Sequence, residues 1–278
     1  MQKRVLLIND ISGVGKCSLT VSVPIISHFG VTTDVLPTAV LSTHTGGFVD
    51  YTFRDLTDDM LKMAEHWKKL GIQFDMIYCG YLGSAEQIGI VMKIVEMFKT
   101  EKTTLLIDPV MADFGQLYSH FSSDFPNKLK PLCEMADILT PNITEACLLT
   151  NTEYREQHDS EYIKTILDKL NTQLNVPLLF LTGVTNGKQL GTVTYENGKT
   201  DYVFSDYIEG RYHGSGDVFS SVLCGALLKD FSPKEAVQLA VDFTVNSIKR
   251  TRDAKTDTRF GLIFEPELAN LAVEADKK

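Results

Sequence analysis

Short apolar runs separated by longer amphipathic stretches repeat along this chain, and that alternation constrains its fold more than any other feature. The runs occupy residues 5–8, 33–36, 76–79, 104–107, 138–139 and 178–181. Most lack the polar alternation of a half-solvated strand, so they read as strands buried on both faces of a parallel sheet. The stretches between them carry helix punctuation. Thr57-Asp-Asp stands before Met60, Leu61, Ala64, Trp67 and Leu70, and Gly71 follows, a start cap and a stop residue one helix apart. Ser84-x-x-Gln87 and Ser232-Pro-x-Glu235 read as capping boxes, the second with proline at the first helical position. This β-α-β-α order predicts an α/β fold with a doubly wound, mostly parallel central sheet and helices on both faces. Residues 191–195 and 201–205, joined by Glu196-Asn-Gly-Lys199, read as a hairpin about an Asn-Gly turn, which puts an antiparallel edge late in the sheet.

The chain's 278 residues, 44% hydrophobic and 23% charged, suit a soluble globular protein and leave room for one large α/β domain or two small ones. No internal repeat, low-complexity tract or Gly/Pro/Ser-rich linker divides it, so residues 1–278 are read as one domain. A net charge of -9 with scattered Lys and Arg offers no basic field for a phosphate backbone, which argues against nucleic acid as a partner. Charge precedes hydrophobes at the start of the chain, but residues 5–8 alone are too short an apolar run for a signal peptide or a membrane span. The 5 cysteines, at 17, 79, 133, 147 and 224, are odd in number, far apart and without a C-x-x-C pair. Neither a disulfide framework nor a zinc site is indicated, and a cytoplasmic location is expected.

Among local motifs the strongest is Tyr212-His-Gly-Ser-Gly-Asp217, followed by small and apolar residues through Leu228. A glycine turn feeding a helix leaves free N–H groups at the positive end of the helix dipole, a setting suited to a phosphate or to the charge of phosphoryl transfer. Asp217 falls in the first turn, where a carboxylate can take the proton of an attacking alcohol. An ordinary glycine turn with aspartate as helix cap explains the same residues equally well. Gly13-Val-Gly-Lys-Cys-Ser18 invites a Walker A reading, but its first glycine would have to stand at Asp10, and Cys17 follows Lys16 where a hydroxyl is needed. Pro24, shortly after it, is expected to kink or interrupt a helix.

Gly214-Ser-Gly-Asp217 resembles the C-terminal signature of ribokinase-like kinases, and other matches follow in family order across most of the chain. Asp108-Pro-Val-Met-Ala-Asp113 and Leu139-Thr-Pro-Asn-Ile-Thr-Glu145 resemble the vitamin-kinase branch. Ser42-Thr-His-Thr-Gly46 and Gly80-Tyr-Leu-Gly-Ser-Ala-Glu-Gln87 are more selective and resemble substrate-side segments of pyridoxal kinases. The resemblance implies a ribokinase-like fold and ATP-dependent phosphorylation of the hydroxymethyl group of pyridoxal, pyridoxamine or pyridoxine. It implies Asp217 as base and the backbone of Gly214, Ser215 and Gly216 as anion hole. It sets Asp113, Asn142, Glu145 and Thr182 about the ATP phosphates, with Asp113 and Glu145 organising Mg²⁺ directly or through water, and Asp108 ending the strand that leads there. Hard oxygen ligands are what magnesium requires. On the substrate side it sets His44, Thr45 and Tyr81 around the pyridine ring, with Ser12 near the first strand's carboxyl end. It further implies a homodimer and admits a monovalent cation. Asn142-x-x-Glu145 is also a plausible helix start in its own right.

Other readings stay open. A hydroxymethylpyrimidine kinase would share the fold, although that branch commonly has Cys at the position of Asp217. A sugar kinase is disfavoured by residues 42–46 and 80–87. A non-catalytic pyridoxal-phosphate-binding protein and a P-loop switch built on Lys16 belong to different functional classes, and only the switch predicts that Lys16→Ala abolishes nucleotide binding.

Overall fold

The computed structural model describes residues 2–275. Its strands are β1 (Arg4–Val14), β2 (Thr32–Thr43), β3 (Phe53–Asp55), β4 (Met76–Cys79), β5 (Thr104–Ile107), β6 (Ala112–Asp113), β7 (Gln116–Leu117), β8 (Ile138–Leu139), β9 (Leu178–Asn186), β10 (Gln189–Glu196) and β11 (Lys199–Asp206). Its helices are α1 (Leu19–His28), α2 (Thr57–Lys69), α3 (Ala85–Phe98), α4 (Phe125–Glu134), α5 (Ile143–Thr150), α6 (Ser160–Leu174), α7 (Ser215–Leu228), α8 (Pro233–Asp253) and α9 (Leu268–Ala275). One nine-stranded sheet runs in the order β11-β10-β9-β8-β5-β4-β1-β2-β3. Pairings from β2 across to β9 are parallel, whereas β3 at one edge and the β10–β11 hairpin at the other are antiparallel.

Side-chain alternation in the central strands divides the core in two. Leu6, Ile8, Ile77, Cys79, Leu105, Ile107, Leu139, Leu179 and Leu181 face the layer formed by α2 to α6. Val5, Leu7, Met76, Tyr78, Leu106, Ile138 and Phe180 face α1, α7 and α8. Burial on both faces is why these runs are apolar throughout. The chain passes from β1 outward to β2 and β3, then returns to lay β4 on the other side of β1. Such a reversal opens a crevice beyond the carboxyl ends of the strands, the usual ligand site of open α/β sheets.

Helix punctuation is partly as expected. Ser232 and Glu235 form a complete capping box with Pro233 in the first turn, and Asn142 with Glu145 form another. Ser84 caps α3, but the Gln87 side chain passes its own cap and accepts from the Gly83 N–H at 2.8 Å, so that box is half made. Gln87 is fully buried and donates to the Thr38 carbonyl and the Thr57 hydroxyl, each at 3.0 Å. Thr57 is accordingly not a start cap: it is the first helical residue, its N–H taken by the Asp55 carboxylate at 2.7 Å. Pro24 lies inside α1 without interrupting it. Only one backbone hydrogen bond is lost there, and the turn around it is fixed by buried Val21, Ser22, Ile25 and Ile26, with Ser22 bonded to Ser221 of α7 at 2.9 Å. The predicted hairpin is present and longer than expected, with Asn197 and Gly198 both at positive φ as a type I′ turn demands. No helix among the described residues is long and apolar enough to cross a membrane.

Candidate active site

The turn into α7 determines the shape of the site. Gly214 sits at φ 76°, and a Cβ there would collide with the Lys16 carbonyl oxygen, so both conformation and space require glycine. The first bond of the helix runs from Val218 N–H to the Gly214 carbonyl at 2.9 Å. The amides of Gly216 and Asp217 therefore lie ahead of the helical ladder and are available to an anion. A Cβ on Gly216 would meet nothing within 4 Å, which marks open space over these amides.

Asp217 is half-buried beside them. Burial pushes its carboxyl up to about 7, the charge of Asp10 adds to this, and the Ser18 N–H and Asn9 amide pull the other way. Asn9 and Asp10 stand at the carboxyl end of the apolar part of β1. Asn9 uses Oδ1 to accept from the N–H groups of Asp10 and Tyr81, both at 3.0 Å, while its buried Nδ2 faces Asp217 without completing a hydrogen bond. Asp10 accepts from the Ser12 hydroxyl at 3.0 Å and the Ser18 hydroxyl at 2.6 Å. The second of these bonds holds Ser18 at φ 52°, an uncommon backbone for serine, and from there its N–H reaches Asp217. Ser12 is thus buried and bonded to Asp10, and it is the Asn9-Asp10 pair that borders the catalytic candidate. The pair belongs to none of the kinase-like motifs, although two polar residues directly behind an apolar strand are a visible signal.

Beyond β5 and β8 lies a second group of carboxylates. Asp108 accepts from the Ser220 hydroxyl at 2.9 Å, and burial, then the charge of Asp217, raises its carboxyl. Glu145 is buried and accepts from the N–H groups of Met111 at 3.1 Å and Asn142 at 2.9 Å; burial, then Asp108, raises it well above the usual range. Asn142 Oδ1 accepts in turn from the Glu145 N–H at 2.9 Å, and its Nδ2–H donates to the Ala112 carbonyl at 2.8 Å, which ties the cap to β6. Asp113 is exposed; its carboxyl is raised by burial of its surroundings and lowered by the Phe114 N–H and by Arg211. Thr182, where β9 bridges to Asn142, donates its N–H to the Pro141 carbonyl at 2.9 Å, and Gly183 follows at φ 72°.

Among the described residues, none of Asp10, Asp108, Glu145 and Asp217 forms an ion pair. Nor do three His, Cys, Asp or Glu side chains there converge into a metal-holding group. Hard oxygen donors in charge excess, without a closed cage, fit a Mg²⁺ ion that keeps waters and shares phosphate oxygens.

The substrate-side candidates lie in two separate settings. His44 is buried and both ring nitrogens are used: Nδ1 accepts from Gly46 N–H at 3.1 Å, so Nε2–H donates to the Arg259 carbonyl at 2.6 Å. What it can offer a ligand is ring surface rather than a hydrogen bond. Its ring stands 5.1 Å from that of His213, which joins residues 43–47 to the turn into α7. Thr45 is exposed next to it. Tyr81, after β4, bonds through its hydroxyl to His120 Nε2 at 2.9 Å and lies among the rings of His120 and Phe121. Lys16 reaches away from the site, to the Leu262 carbonyl at 3.0 Å and to Glu265 at 2.7 Å, beneath the Phe264 ring.

A proton acceptor raised to about 7 beside free helix-terminal amides and oxygen donors for a hard cation can deprotonate an alcohol and hold a phosphoryl group. Solved structures with this architecture carry the same chemistry in their names. A Bacteroides thetaiotaomicron protein described as a candidate phosphomethylpyrimidine kinase, in a crystal form with pyridoxal, is 36% identical with TM-score 0.91, covering 98% of this chain and 96% of that one. Pyridoxal kinase from Lactobacillus plantarum is 27% identical with TM-score 0.91, covering 100% and 99%. The pyridoxal kinase of Dictyostelium discoideum is 25% identical over 83% of this chain and 80% of its own length. The match to a Schizosaccharomyces pombe relative spans only 62% of that relative. The fold is that of the ribokinase-like small-molecule kinases. Residues 26–261 match the phosphomethylpyrimidine kinase family, and the chain belongs to it.

Proposed function

We propose that this protein transfers the γ-phosphoryl group of ATP to the 5′-hydroxymethyl group of pyridoxal, pyridoxamine or pyridoxine, giving the 5′-phosphate and ADP. The observation that carries the reading is Asp217, raised to about 7 beside the free amides of the α7 turn. The vitamin B6 side is supported by the 36% identical relative crystallised with pyridoxal.

Asp217 accepts the hydroxymethyl proton as that oxygen attacks the γ-phosphorus and the bond to the β,γ-bridging oxygen breaks. In the turn built by Gly214, Ser215 and Gly216, the Ser215 N–H is turned to the Tyr212 carbonyl at 3.4 Å, so the free amides of Gly216 and Asp217 hold the phosphoryl oxygens, and the ADP leaves with the electron pair of the broken bond. Asp113 would hold Mg²⁺ with Glu145 acting through the Asn142 cap, and Asn142 and Thr182 line the phosphates; the bound ion would neutralise phosphate charge. Tyr81 and the ring faces of His44 and His213 bound the pyridine ring, with Thr45 beside them, while Ser12 acts by orienting Asp10. Residues 1–278 work as a single domain, and a homodimer is the assembly the family resemblance supports. Five free, buried cysteines suit a cytoplasmic enzyme.

The family's own description names another substrate class, a phosphomethylpyrimidine, of which hydroxymethylpyrimidine is the unphosphorylated counterpart. Turnover measured with ATP, Mg²⁺ and each of pyridoxal, pyridoxamine, pyridoxine, hydroxymethylpyrimidine and ribose decides between them. Preferred turnover of a B6 vitamer is expected; preference for the pyrimidine would transfer the proposal to that substrate, and pyridoxal binding without ADP release would make the protein a binder.

A further inference from the structure

Of the cations bordering the turn into α7, two are committed. Lys16 is held by Glu265 and the Leu262 carbonyl. Arg259 is forked onto Asp257, with one remaining donor 3.3 Å from the Gly47 carbonyl. Arg211 is different. Its guanidinium has five N–H donors, yet among the described residues it makes no hydrogen bond or ion pair and only lies over the Phe114 ring, 4.6 Å from its centre. That ring is 56% exposed, on a residue at φ 50° between Asp113 and Gly115.

The position is specific. Arg211 stands three residues before Gly214, in the irregular link from β11 to α7. Its charge acts on both the Asp113 carboxylate and the His213 imidazole, so it lies within reach of the candidate Mg²⁺ ligand and of the turn into α7. The link itself is braced: the Tyr212 hydroxyl bonds to the Glu209 carbonyl at 3.1 Å, and Gly210 lies against the Tyr212 ring. An arginine stacked on an exposed ring, with its fork unused near Asp113, a candidate oxygen ligand for Mg²⁺, is placed to exchange a weak contact for a strong one.

We propose that Arg211 leaves Phe114 when ATP binds and closes its fork onto the γ-phosphoryl group, taking the charge that spreads over its oxygens during transfer. The proposal rests on the kinase reading above. It makes Arg211 a catalytic residue that touches substrate, and it assigns Phe114 as the resting place of the side chain in the nucleotide-free protein.

Arg211→Met and Arg211→Lys test it through two readouts, turnover of pyridoxal and direct binding of ADP against a non-hydrolysable ATP analogue. Arg211→Met should melt like the wild type, lower kcat by about 10²–10³-fold, and leave the KM for pyridoxal within about threefold. Its affinity for the analogue should fall while that for ADP stays, because only the analogue carries a γ-phosphate. Lysine should restore part of the loss, since it returns charge without the planar fork. Unchanged kcat with an unchanged analogue-to-ADP affinity ratio overturns the proposal. If the wild type turned over none of the B6 vitamers, the kinase reading would fail, and the affinity ratio would still decide whether Arg211 reads the γ-phosphate.

Discussion

Asp217 is kept protonatable near neutrality by what surrounds it: burial, and Asp10 in place of a cation. In the free enzyme, kcat/KM for pyridoxal should therefore rise with pH and level off above about 7. Asp10→Asn removes the neighbouring like charge and should move that limb to lower pH; a limb that stays in place would show that Asp10 does not act on the base. Lys16 makes the opposite point, a residue whose sequence setting suggested nucleotide and whose contacts lie elsewhere. Lys16→Ala should leave ATP affinity within about threefold and lower the melting temperature by about 2 °C, as expected for loss of a largely exposed ion pair. Loss of nucleotide binding in a titration would reinstate the P-loop reading.

At the level of elements, the turn into α7 contains two glycines with different duties. Gly214→Ala must place a methyl at positive φ against the Lys16 carbonyl, so it should destabilise the fold by about 1–3 kcal/mol in denaturant titration. Gly216→Ala meets nothing in the protein within 4 Å and should fold normally, yet lose activity if, as proposed, its amide holds the phosphoryl group. Equal stability loss in both would argue against that division. The helix ends legible in the sequence were those closed by neighbours three residues apart, Ser232 with Glu235 and Asn142 with Glu145. Thr57 and Gln87 misled because their side chains bond to each other across 30 positions of chain, a contact that no local pattern encodes. The candidate carboxylates divide in the same way: Asp217, Asp113 and Glu145 stand in motifs, whereas Asp10 is brought in through its bond to Ser18, which sits at positive φ.

For the whole molecule, the interior strands were legible because burial on both faces leaves an apolar run, as at Met76–Cys79 and Thr104–Ile107. The rest depends on pairing. Strand β3 is exposed along its length and exists because residues 39–41 of β2 pair with it. β1 and β2 continue past their apolar cores because they pair with each other out to Val14 and Thr43. The fold collects the carboxyl ends of β1, β4, β5, β8 and β9 at one edge, and with them Asp10, Asp108, Glu145 and Asp217, none of which is ion-paired among the described residues. That arrangement has a stability signature. A carboxyl raised to about 7 binds more protons folded than unfolded between its ordinary value near 4 and about 7, so Asp217 lowers stability as pH rises through that window. Asp217→Asn should accordingly melt higher than the wild type at pH 8, with the gap closing toward pH 4; a gap independent of pH would contradict the raised carboxyl.

The central claim is that Asp217 activates the hydroxymethyl group of a B6 vitamer for attack on ATP. Its most direct test is the single-turnover rate of pyridoxal 5′-phosphate formation with enzyme in excess, wild type against Asp217→Asn, alongside their ATP affinities. The account predicts a fall of about 10²–10⁴-fold in that rate with nucleotide affinity changed by less than about threefold. A near-normal rate in Asp217→Asn would contradict it.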